Sequence, residues 1–194
     1  MPKPNPALES DEILKAEYEY IASTVFQANE DRSRVASFYF VSVGSIVAAI
    51  LGTQFAADKI QSVSFAFTIL FLVLTILGAL TIAQLARLRA AWHESVEAMN
   101  QLKDFYIKNH PEIRPAFKWH STTIPPTDKK FSIANLIAVE VELLGGITTA
   151  AAFYFALIAI GKSSEINWGV VAAGFVVGYI VLVITYKLLL VDDR

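Results

Sequence analysis

Two carboxylates stand where an acid has most to do. Glu140 and Glu142 are the only charged residues between positions 133 and 161. A charged group at the centre of a bilayer costs at least about 2.5–3.5 kcal/mol, so an immersed acid needs a counter-charge, water or a proton. Two positions apart on a helix, the two side chains point roughly 200° away from each other and cannot share one hidden face. If the hydrocarbon begins at Leu143, both acids are interfacial, beside Lys129, Lys130 or Arg87. That reading is favoured because the run from Leu143 onward is long enough to cross a bilayer by itself. The sharper reading makes Glu140 and Glu142 carboxylates of an ion path or its gate.

Other chemistry is poorly supported by residue type and spacing. His93 and Glu97 are one helical turn apart, but a metal site needs three or four ligands and none is evident nearby, so a solvated helix face is favoured. The strings Arg87 to His93 and Arg114 to His120 fit the Arg-x5-His spacing of HEPN-type ribonucleases, a short pattern that arises easily by chance. Arg87 also lies where an arginine at the end of a membrane helix snorkels to the surface. There is no cysteine, which removes disulfides, thiol nucleophiles and thiolate metal sites together. No glycine-rich phosphate loop, nucleophile elbow or metalloprotease motif occurs. We expect no catalytic residue, no metal and no cofactor, and a protein that is not an enzyme.

The elements that must position these residues are helices. The chain has 194 residues, 55% of them hydrophobic, and a positive mean hydropathy of +0.49, too apolar for an ordinary soluble domain. Residues 35–57, 60–86, 143–161 and 166–186 are uncharged runs, each long enough at about 1.5 Å rise per residue to cross a layer of roughly 30 Å. The expected fold class is therefore all-α, a four-transmembrane-helix protein. Only Asp58 and Lys59 separate the first two runs, and residues 162–165 separate the last two, so each pair forms an antiparallel hairpin. Residues 1–10, with Pro2, Pro4 and Pro6, are expected to be a flexible tail and not a signal peptide. Residues 11–108 hold the first hairpin and its extensions, and 132–194 the second. Residues 109–131 form a basic loop broken by Pro111, Pro115, Pro125 and Pro126, with Phe117 and Trp119 suited to headgroup level.

The apolar pattern does not end with the first hairpin. Leu88, Trp92, Met99, Leu102 and Tyr106 recur at steps of three, four or seven after the second run, with Ser95 the one polar residue in the series. Leu14, Tyr18, Ile21 and Val25 do the same before the first run. Seven-residue periodicity lets a helix bury one stripe against another helix in water. The two amphipathic segments emerge on one side of the membrane and are expected to zip together as a coiled coil. Fourteen of the 16 Lys and Arg lie in the N-terminal segment, the long loop and the C-terminus, which puts those segments and both termini in the cytoplasm of a cell whose inner (plasma) membrane holds the protein.

Small residues recur at contact spacing. Gly44, Ala48 and Gly52 line one side of the first run, and Gly174 and Gly178 form a Gly-x-x-x-Gly pair in the fourth. Packing within one chain is favoured over a subunit interface for both sets. Gly145 and Gly146 are expected to let the third helix bend near its acids.

An acidic, aromatic helix over residues 12–27, an Asn29-Glu30-Asp31-Arg32-Ser33-Arg34 junction, a tight two-span hairpin and a basic helix from Arg87 together resemble the SLATT type of small membrane protein. The arrangement is also similar to multi-pass membrane proteins that accompany some prokaryotic CRISPR and nucleotide-signalled defence systems. The resemblance covers about half of the chain, and the second hairpin departs from the two-span form. It implies a fold built on the hairpin, a homo-oligomer, and a pore-forming or membrane-perturbing role. We therefore expect an oligomer that forms or gates a membrane pathway. The alternative is a non-conducting scaffold that holds a soluble cytosolic partner at the membrane. The lipid bilayer is the nearest partner of the basic loop, and nucleic acid is disfavoured because the loop's charges are spread out.

Overall fold

The computed structural model describes residues 10–52, 59–117, 120–127, 129–162 and 166–191. Residues 1–9, Asp58, Trp119 and most of the 162–165 turn, about which the sequence raises expectations, lie outside them. The described residues are mostly helical and include no strand: α1 spans Ser10–Leu51, α2 Ile60–Asn109, α3 Ile133–Ala159 and α4 Trp168–Val191, with short 3-10 turns at Pro111–Ala116 and Ser121–Thr123. All four of these helices are long and apolar enough to cross a membrane.

α2 is an unbroken rod of 50 residues, about 75 Å at 1.5 Å per residue. It contains no proline, and it ends when the His110 N–H closes onto the Tyr106 carbonyl (2.8 Å) just before Pro111. α1 is equally unbroken over 42 residues. The polar junction at 29–34 does not interrupt it, because its side chains pair along the helix: Arg34 meets Glu30 at 3.1 Å and Asp31 at 3.5 Å. α3 starts at Ser132, whose hydroxyl accepts the Asn135 N–H at 3.2 Å. The third helix thus begins ten residues before Leu143 and carries Glu140 and Glu142 inside it. α4 continues past Tyr186 to Val191, beyond the end expected from its uncharged run.

The core gathers on α2, which packs against α1, α3 and α4, while α1 meets α3 only slightly. Tyr39 and Val43 of α1, Phe71, Leu74, Ile82 and Leu85 of α2, Val141 of α3 and Leu182 of α4 are its buried centre. Gly146 is a point of close approach between α3 and α4: a Cβ there would lie 3.1 Å from the Phe175 carbonyl oxygen. Neighbouring Gly145 faces Leu182. α3 runs through both glycines as α-helix, and both sit where side chains of α4 approach closely.

Candidate functional site: a buried charged layer at one end of the bundle

The buried face of α1 follows helical steps through Ile21, Ala28, Arg32, Ala36, Tyr39 and Val43. Arg32 occupies a position that this periodicity reserves for an apolar residue. α2 does the same with Arg89, buried beside Leu85, Ala86 and Ala90. Both arginines lie just outside the uncharged runs, Arg32 before the first and Arg89 after the second, so the antiparallel pair brings them to one level. Arg89 donates from Nε to the Thr127 carbonyl (3.1 Å) and from Nη2 to the Pro126 carbonyl (3.4 Å), and its guanidinium lies 4.5 Å above the Trp92 ring. Arg32 donates from Nη1 to Asn29 Oδ1 at 3.2 Å, while its Nε and Nη2 are buried with no hydrogen-bond partner.

α3 and α4 complete the layer. Glu142 is buried and Glu140 is exposed, as two side chains two positions apart on one helix must diverge. Glu142 is in Coulombic reach of Lys187 and of Tyr186, and Tyr186 is in reach of Arg32 and Arg89 as well. Glu142 and Tyr186 also line a cleft of about 530 Å³ together with Thr127, Lys130, Asn135 and Lys187. The sequence picks out Glu142 by the apolar run around it. The two buried arginines are missed there because arginines flanking a membrane helix ordinarily snorkel to water.

Beneath this layer α3 buries further polar groups. Thr148 and Thr149 donate to the Gly145 carbonyl at 2.9 and 2.8 Å and lie 3.2 and 3.4 Å from the Thr75 hydroxyl of α2. The Tyr39 hydroxyl of α1 packs over Gly78 of α2, where a Cβ would stand 2.7 Å from it.

On the other side of the charged layer the extensions of α1 and α2 run side by side. Ala22 and Val25 share a groove of about 510 Å³ with Trp92, Val96 and Met99. Further out, Leu14 and Tyr18 share one with Leu102, Tyr106 and Ile113. Ile21 is buried and Leu88 half-buried, but Tyr18 remains 50% exposed. Ser95, the polar break in the seam, is answered across the interface by Thr24, whose hydroxyl donates to it at 3.2 Å. Asn100 is buried at the same interface; its Oδ1 accepts from Lys103 at 3.3 Å and its Nδ2 has no partner.

The small residues separate into two groups. Gly174 and Gly178 are buried against Phe153 and Thr149 of α3, within the chain. Gly44, Ala48 and Gly52 are exposed, and a Cβ on Gly44 would meet nothing within 4 Å. Packing within one chain is thus seen for the α4 pair, while among the described residues no other helix covers the α1 stripe. His93 is half-buried and Arg87 exposed; Arg114 and His120 line a cleft of about 290 Å³ with Asp104 and Lys108. Among the described residues no three His, Asp or Glu are grouped as metal ligands.

An all-helical bundle of four helices long and apolar enough to cross a membrane is compatible with a multi-pass membrane protein. Compared with protein-family models, curated proteins and solved structures, the chain matches none.

Proposed function

We propose that the protein is an oligomeric integral membrane protein that forms or gates a membrane pathway, with Glu142 as a gating carboxylate and the α1–α2 hairpin as the assembly or sensing element. The observation that carries this reading is the set of buried polar groups along α3. Glu142, Thr148 and Thr149 are met there by Thr75 and Lys187. Ionisable and hydroxyl groups are costly inside a bundle of this composition, and such groups line ion and proton routes in membrane proteins. Oligomerisation is supported by the charged half of α1, where Ile13, Tyr18, Tyr20 and Phe26 are 54, 50, 64 and 72% exposed. By the distribution of Lys and Arg this half lies in cytosolic water, where such residues need cover from a second copy. The resemblance to SLATT-type proteins supports the inner (plasma) membrane of a prokaryote as the location and defence as the setting.

Reconstitution into liposomes tests the proposal. We expect a homo-oligomer whose ion flux changes several-fold in Glu142→Gln and stays unchanged in Glu140→Gln, since only Glu142 is buried. A monomer that leaves liposomes tight to ions under every condition tried would refute it. The same exposed aromatic face favours a second reading, a non-conducting anchor for a soluble cytosolic protein. A stoichiometric partner recovered from native membranes, with no conductance, would select that reading.

A further inference from the structure

Arg32 and Arg89 are the charges least accounted for by the fold, being 6% and 5% exposed. Each guanidinium carries five N–H donors, yet the pair meets only neutral oxygens: Asn29 Oδ1, the Pro126 carbonyl and the Thr127 carbonyl. Two donor atoms of Arg32 meet nothing. The two cations are also in Coulombic reach of each other, so each raises the cost of burying its neighbour. Among the described residues no carboxylate pairs with either. Glu30 and Asp31 are turned to Arg34, and Glu142 faces Lys187 and Tyr186. A buried charge left without a counter-charge is strongly destabilising, and the arrangement that relieves it is an anion.

The planar forks of two arginines complement the oxygens of a phosphate group. We propose that Arg32 and Arg89 form a receptor for a phosphate group, carried by a phospholipid headgroup or by a soluble phosphate, which enters through the cleft beside Tyr186. Tyr186 lines that cleft and is in reach of both arginines, and Lys130 and Lys187 stand along it as further cations. Among the described residues Glu142 is the one acid lining it. Phosphate oxygens would replace the neutral Pro126 and Thr127 carbonyls on Arg89 with stronger, charge-assisted bonds. Ile124 and Pro125, next along that loop, wall the groove between the α1 and α2 extensions, so occupancy of the receptor would be felt in the hairpin. The inference does not need the pathway reading, because binding is measured without conductance.

The test uses the full chain purified in a maltoside detergent free of phosphate, with thermal unfolding followed as ligand is added. Inorganic phosphate or phosphatidylglycerol is expected to raise the unfolding temperature in proportion to occupancy, and a galactolipid lacking phosphate is expected to leave it unchanged. Stabilisation by inorganic phosphate identifies a soluble ligand; stabilisation by phosphatidylglycerol alone identifies a headgroup. Arg32→Gln and Arg89→Gln should each weaken the apparent dissociation constant by about tenfold or more. Exposed Arg34→Gln should not change it, and Glu142→Gln should tighten it. If a Gln variant does not fold, the Lys variant keeps the charge but loses the fork, and several-fold weakening is expected there. No stabilisation by either phosphate source, or equal stabilisation in the Arg32 and Arg89 variants, overturns the proposal.

Discussion

Pairing of the α1 and α2 extensions within one chain can be tested by replacing Thr24 and Ser95 with cysteine in a protein that has no other cysteine. Their hydroxyl oxygens lie 3.2 Å apart. Adding a carbon–oxygen bond of about 1.4 Å at each end caps the Cβ separation at about 6 Å, and the bend at each oxygen brings it down towards the 3.5–4.5 Å that a disulfide takes. The substitution should be mild. A neutral hydrogen bond contributes about 0.5–1.5 kcal/mol net, and both hydroxyls also bond within their own helices, Thr24 to the Ile21 carbonyl and Ser95 to the Ala91 carbonyl, each at 2.8 Å. Mild oxidation of the purified protein should therefore give a cross-linked monomer, seen as a faster band without reductant and a peptide pair joining the two positions by mass spectrometry. Ser23→Cys with Ser95→Cys is the control, because Ser23 is exposed and turned about 100° from Thr24 around the helix. Cross-links formed only between chains, or equal yields from the control, would refute the pairing and with it the hairpin as a sensing element.

Gly178→Leu places a side chain against Thr149 in the α3–α4 interface and should destabilise the protein by about 1–3 kcal/mol in a detergent unfolding titration. At Gly44 an added Cβ meets nothing within 4 Å among the described residues, so Gly44→Leu should leave monomer stability unchanged; a loss of oligomer on a sizing column would place the exposed α1 stripe at a subunit contact. Asn100→Leu removes a buried Nδ2 without a partner and should be neutral or stabilising by up to about 1–3 kcal/mol in the same titration, whereas Asn100→Ala should lower stability by leaving a void. The flux comparison of Glu142→Gln with Glu140→Gln separates the two acids by function.

The amino-acid order by itself determined that the chain is helical and where its four apolar runs lie, though not the full length of α3 or α4. Uncharged runs of this length suit spanning helices and not the shorter strands of a barrel, and a helix satisfies every N–H and C=O within the segment. The periodic stripes fixed which faces of the two extensions turn to each other, since a helix repeats every 3.6 residues whatever surrounds it. Glu142 was legible as well, because an acid within a long apolar run is conspicuous. The depth of Arg32 and Arg89 was not legible: a long flexible cation at a membrane boundary reaches water unless neighbouring helices close over it, and α2, α4 and the loop at Pro126 come together only in three dimensions. The same holds for the glycines. Identical small-residue spacing marks Gly174 and Gly178, which α3 covers, and Gly44, Ala48 and Gly52, which no other helix covers among the described residues. Spacing states that a close approach is possible, and only the placement of the other helices decides where one is made.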